Sequence, residues 1–179
     1  MDPNMTPETA ATQTDDFVDA LEKDWHANHL KFSATATGVV ARVTRLSYRI
    51  EQRVERNLSR FDLTRGEFEV LAVLLRSSSE SVTPKKIQER VLITSGGLSN
   101  RIKALETKGL ITRSQDTTDR RAVVVTLTEK GKSIATRAAQ SHLNVEREIL
   151  QGMPMEDAAR LAELLKKLLV LQESSLQQD

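Results

Sequence analysis

A mainly helical chain carrying one small β-ribbon is the fold class the sequence predicts. Apolar residues recur every three to four positions through most of its 179 residues, the mark of helices with one buried stripe. Two short stretches, Leu110 to Ser114 and Ala122 to Leu127, have strand composition instead, the second alternating Val123, Val125 and Leu127 with Ala122, Val124 and Thr126. Helix starts are marked by Thr64, Thr83 before Pro84, and Thr128, and stops by Gly109 and by Gly152-Met153-Pro154.

The elements follow in chain order. Residues 1 to 14 are polar, Thr-rich and contain Pro3 and Pro7, which predicts a disordered tail. A helix runs from Asp15 or Asp16 to about Asn28 with Phe17, Leu21 and Trp25 along one stripe, and a longer one from about Ser33 to Leu58 repeats Val39, Val43, Leu46, Ile50 and Val54. Thr64 caps the helix of Phe68, Leu71, Ala72, Leu74 and Leu75, which ends in the loop Ser77-Ser78-Ser79. From Thr83 to Val91 a short helix has Pro84 at its first position, where a missing N–H is harmless, and Ile87 and Val91 on one face.

Thr94 or Ser95 caps the next helix, which reaches about Lys108 and buries Leu98, Ile102 and Leu105. Its opposite face shows Ser95, Gly97, Ser99, Asn100, Arg101 and Lys103. Small residues there allow close approach of the backbone to a duplex, Asn and Arg can hydrogen-bond to base edges, and Ser, Thr and Lys can hold phosphates. Gly109 stops the helix, and the two strands follow with Asp116, Asp119, Arg120 and Arg121 in the turn between them. An Arg at such a tip can enter a narrow minor groove. Support helix, recognition helix and Arg-tipped ribbon in this order predict a winged helix-turn-helix that binds double-stranded DNA.

After the wing, a helix opens at Thr128 and runs to about Leu150. A last helix from about Met155 to Ser174 carries Leu161, Leu164, Leu165, Leu168, Leu169 and Leu171, more apolar surface than one neighbour needs. The surplus predicts a homodimer, with two recognition helices one duplex turn apart on a palindromic site, roughly 34 Å. The expected organisation is therefore a tail (1–14), N-terminal helices of a dimerisation lobe (15–60), a winged helix-turn-helix domain (61–130) and C-terminal dimerisation helices (131–179).

Composition narrows the classes further. With 26 Lys and Arg against 25 Asp and Glu the net charge is +1, so attraction to DNA has to come from local clustering. Between Lys85 and Arg121, nine cations stand against Glu89, Glu106, Asp116 and Asp119. Cysteine is absent, which removes disulfides, thiol sensing and Cys-based zinc sites. The start of the chain lacks the basic and apolar segments of a signal peptide, and no apolar run approaches the ~20 residues of a membrane span, so a cytoplasmic protein without a membrane partner is expected. His26 and His29 lie three apart with no third partner, predicting a surface or packing role and no metal. No phosphate loop, nucleophile elbow or nucleophile–base pair is visible; neither an enzyme nor a cofactor is expected.

The blocks Leu92 to Ile102, Leu105 to Ile111, Asp116 to Arg121 and Thr126 to Gly131, at these spacings, resemble the MarR family of winged helix-turn-helix regulators over roughly residues 35 to 172. The resemblance implies an obligate dimer through both chain ends. It places base and phosphate contacts on Ser95, Gly97, Ser99, Asn100, Arg101 and Lys103, with Thr94 beside them, and the minor-groove contact on Arg120 or Arg121. The Trp-bearing helix before this segment further resembles the family's urate-responsive branch. That likeness implies ligand contacts at Trp25, Glu69 and Arg113, with Glu69 standing where the branch has Asp. Arg45, Arg49 or Arg113 could hold a carboxylate or enolate and Trp25 could stack on a ring. The ligand so implied is a small aromatic anion: an aromatic or indole acid, a phenolic or a urate-like purine. A ligand-released repressor is expected. The alternatives are a helical interaction scaffold that keeps a winged fold, an activator, and a small-molecule-modifying enzyme supported by nothing beyond a pocket.

Overall fold

The computed structural model describes residues 15–29, 31–77, 82–91, 95–115 and 122–175. It divides into two compact units, Met1–Glu51 and Gln52–Asp179. In the first, helix α1 (Phe17–Ala27) starts at Asp16, whose carboxylate accepts from the N–H groups of Val18 (2.7 Å) and Asp19 (3.1 Å) while Asp19 reaches back to the Asp16 N–H. This reciprocal box satisfies donors a helix start otherwise leaves open, and it selects Asp16 over Asp15. Helix α2 (Ala34–Ser59) begins beside Ser33 and continues into the second unit. Within the first unit, Arg42 of α2 pairs with both Asp16 (2.8 Å) and Asp19 (2.7 Å), and Val18 is buried.

The second unit contains the main core. Helix α3 (Arg65–Arg76) is its centre: Phe68, Val70, Leu71, Val73 and Leu74 are buried on more than one face, because α3 is surrounded rather than laid on a surface. Its start is a second capping box, Thr64 with Glu67, reached through a turn in which Asp62 takes a positive φ of 55°. Helix α4 (Pro84–Arg90) is capped by Thr83 and buries Ile87; α5 (Ser95–Thr107) buries Leu98, Ile102 and Leu105, the predicted stripe. Truncating one such Leu to Ala typically costs about 2–5 kcal/mol.

Gly109 leaves α5 with φ 68°, the left-handed conformation that favours glycine past a helix end. Strands β1 (Ile111–Gln115) and β2 (Val123–Leu127) then pair antiparallel, with Arg113 opposite Val125. The expected alternation of β2 is only partly realised: Val124 and Val125 are both buried, whereas Val123 is exposed. β2 is also tied outward, since the Val125 N–H donates to the Val82 carbonyl at 2.8 Å, so this ribbon does not have one dry and one wet face.

Helix α6 (Glu129–Ile149) starts in a tight joint. Thr128 Oγ1 accepts from the Gly131 N–H (2.9 Å) and donates to the Gly109 carbonyl (2.8 Å), the Thr128 N–H donates to the Leu110 carbonyl, and Lys130 Nζ donates to the Lys108 carbonyl. Further along α6, Ser141 donates to Oδ1 of Asn57 at 2.6 Å. Helix α7 (Met155–Ser175) follows Gly152, and none of its residues is buried. Among the described residues no helix is long and apolar enough to cross a membrane.

Candidate nucleic-acid interface and ligand contacts

The exposed face of α5 is built by the burial of the other one. With Leu98, Ile102 and Leu105 turned into the core, helical spacing leaves Ser99, Asn100 and Lys103 exposed, with Gly97 half-buried at the rim. These are short polar groups and a cation on a helix with no acidic residue in its first turn. Ser95 begins α5, although its side chain lies outside the described residues, as do Thr94, Arg120 and Arg121. Arg101 differs from its neighbours: it is half-buried and lies against Gly66 in the first turn of α3.

Two contacts at the base of α5 carry charge. Lys108 donates to the Asp62 carbonyl (2.6 Å) and to the Glu67 carboxylate (3.0 Å), and Glu67 is only 4% exposed. Burial pushes the Glu67 carboxyl up, but the Thr64 N–H and the Lys108 ammonium outweigh it and hold the group below the ordinary carboxylate range. Neither Gly66 nor Glu67 stood out in the sequence; the Thr64-x-x-Glu67 spacing of a capping box was the signal available.

The expected ligand residues fall in both units. In the first, Trp25 packs edge-on against Phe32, ring centroids 5.3 Å apart. Arg45 lies over the Phe17 ring, 3.8 Å from its centre, and with Arg49, Val18 and Leu46 lines a groove of about 210 Å³. Phe17 belongs to the stripe expected to pack, and the structure makes it the aromatic partner of Arg45. In the second unit, Glu69 is paired with Arg65 at 3.1 Å, and Arg113 with Glu106, its Nε at 3.2 Å. That pair raises the Arg113 pKa. No group of three or more His, Asp or Glu suited to a metal ion occurs among the described residues.

The family model that matches is that of the MarR family, over residues 63–123. An uncharacterised helix-turn-helix transcriptional regulator of Bacillus cereus is 30% identical over 127 residues, 70% of this chain and 83% of the relative. The chain belongs to the MarR family. The regulator PecS of Dickeya dadantii is 27% identical over 149 residues, covering 83% of this chain and 90% of that one. Two MarR-like structures share the fold at 23% identity. The Staphylococcus aureus MepR–DNA complex matches with a TM-score of 0.67 over 78% of this chain and 98% of MepR. Bordetella bronchiseptica BpsR, described for regulation of its DNA binding by 6-hydroxynicotinic acid, matches with 0.62 over 72% and 91%. As a MarR-family protein the chain is a DNA-binding transcriptional regulator and not an enzyme, and its two-stranded ribbon is the wing.

Proposed function

We propose that the protein is a homodimeric repressor that occupies a pseudo-palindromic operator and is released by a small aromatic anion. The observation that carries the DNA half is the exposed face of α5, where Ser99, Asn100 and Lys103 stand opposite a buried apolar stripe. Asn100 is suited to paired hydrogen bonds with adenine, Ser99, Ser95 and Thr94 to phosphate or base edges, and Lys103 to phosphate, while Gly97 lets the backbone approach. Arg120 or Arg121 at the wing tip supplies the minor-groove cation.

A second copy is the occupant proposed for α7. Leu164, Leu169 and Leu171 are 54%, 58% and 66% exposed there, too much continuous apolar surface for a helix left in water. An isologous pairing of the chain ends repeats the α5 face twice, as a palindromic site requires.

For the ligand, the groove beside Phe17 offers an apolar floor and the guanidinium groups of Arg45 and Arg49, a pairing suited to an aromatic carboxylate. Trp25, in the same unit, is proposed as a further contact; Glu69 and Arg113, in the other unit, are proposed as ligand contacts in their own right. At Arg113 a ligand anion would replace Glu106, and at Glu69 a ligand donor would replace Arg65, so each contact exchanges one polar partner for another. Regulation of BpsR by 6-hydroxynicotinic acid, an aromatic acid, supports this ligand class. Release requires the ligand to bind one spacing of the recognition helices better than the other.

The test follows Trp25 fluorescence while 6-hydroxynicotinate, salicylate, indole-3-acetate and urate are titrated in, with and without DNA from upstream of the gene. Quenching by one compound together with DNA release is the expected result. Tight DNA binding unaffected by all four would remove the aromatic-anion half of the proposal.

A further inference from the structure

Gly66 and Arg101 fit each other in an unusual way. A Cβ built on Gly66 would stand 1.9 Å from Arg101 Nε, 2.4 Å from Cζ and 2.7 Å from Nη2. The guanidinium therefore fills the space that any other residue at 66 would use. Among the described residues no carboxylate pairs with Arg101, and its guanidinium lies against the first turn of α3, the helix end that disfavours cations. Close packing against the glycine backbone accounts for its place.

Seven residues further on, Lys108 holds the same end of α3 through Glu67 and the Asp62 carbonyl. Lys108 directly follows the last residue of α5 and its N–H still bonds to the Ala104 carbonyl, so Arg101 and Lys108, two helical turns apart, lie on one side of the helix, about 10 Å from each other along its axis. A helix held at one point can rock; one held at two has its tilt fixed.

We infer that Gly66 and Arg101 form the outer half of a two-point clamp that sets the tilt of the recognition helix, and that Arg101 is a positioning residue rather than a reader of bases. The inference rests on the DNA-binding face assigned to α5. If Lys108 stays pinned and the helix moves out by about 1 Å at Arg101, residues near Gly97 move by about 1.5 Å. That exceeds the few tenths of an ångström over which a hydrogen bond to a base edge keeps its strength.

Gly66→Ala is the informative variant, because the three atoms nearest its methyl group all belong to the guanidinium, the movable end of a long side chain, which it evicts. Operator affinity is measured for wild type, Gly66→Ala, Arg101→Ala and the double variant, on the intact operator and on a set with each base pair replaced in turn. The clamp predicts about a tenfold loss in either single variant, a double variant no weaker than Arg101→Ala, and loss spread evenly over the base-pair set. Loss in Arg101→Ala that disappears when one particular base pair is replaced identifies Arg101 as a base reader and overturns the clamp. So does a Gly66→Ala effect of equal size with Arg101 already removed.

Amide hydrogen exchange of α5, measured on the same four proteins without DNA, keeps the two ideas apart. Faster exchange in the first half of α5 in both single variants is expected; unchanged exchange in both overturns the clamp. A wild-type protein that binds no operator, yet shows the exchange difference, refutes the DNA-face assignment and leaves the clamp standing.

Discussion

Arg42 joins the second helix to the cap of the first: its Nε lies 2.8 Å from Asp16, the carboxylate that also closes the first turn of α1. One side chain therefore serves helix initiation and helix docking together. The same contact lowers the Asp16 pKa and raises that of Arg42.

Arg42→Ala should loosen α1 while leaving the second unit intact. Limited proteolysis is expected to cut within residues 17–27 in the variant before the wild type, with the main thermal transition unchanged. Both partners are solvent-accessible, so high salt should move the wild type part of the way toward the variant.

Glu67 gives the protein an acid-sensitive element. Its folded pKa lies below the ordinary value of 4.5, so its stabilisation is fully present above about pH 4.5 and is lost as pH falls through the folded value. Glu67→Gln should lower stability at pH 7 by about 1–3 kcal/mol and flatten the acid limb of the stability curve. Urea denaturation between pH 3 and pH 7 checks both; parallel curves for variant and wild type would refute the assignment.

Gly131→Ala should be among the most damaging small substitutions. A Cβ there would come 1.8 Å from the Leu110 carbonyl oxygen, and backbone, unlike the Arg101 side chain, has nowhere to go. A loss of about 3 kcal/mol or more is expected, read as a lower melting temperature.

On the proposed DNA face, Lys103→Ala should weaken operator binding on all sequences and reduce the slope of log affinity against log salt by about one. Asn100→Ala should instead cost about 1–3 kcal/mol and relax preference at one base pair per half-site. Mobility shifts at several salt concentrations separate the two effects.

At the far end, Leu165→Glu combined with Leu168→Glu should yield a monomer by sedimentation and abolish operator binding, with helical circular dichroism retained. A dimer that survives both charges would locate the interface elsewhere.

Most of the fold was legible in the sequence. Thr64, Thr83 and Thr128 cap helices in the structure, Gly109 ends α5, and Leu98, Ile102 and Leu105 form its buried stripe. These features are local: a few neighbouring residues decide them. The burial of both Val124 and Val125 was not legible, because it depends on Val82 pairing with β2 from 43 positions away. Of the face proposed to meet DNA, the exposure of Ser99, Asn100 and Lys103 follows from helical spacing alone. The place of Arg101 does not, since a period of 3.6 residues cannot report that a glycine on another helix leaves a hollow of the right size.

The joint at Thr128 gives α6 a mechanical role. Lys108, Gly109 and Leu110, where the recognition helix ends and the wing begins, are bonded through their carbonyls to the first turn of a 21-residue helix about 30 Å long. With that end bolted, α6 acts as a connecting rod: a swing of about 5° about its far end carries the joint roughly 2.5 Å sideways. Recognition helix and wing root would travel together, so a signal arriving at the distal end of α6 would shift the whole reading head.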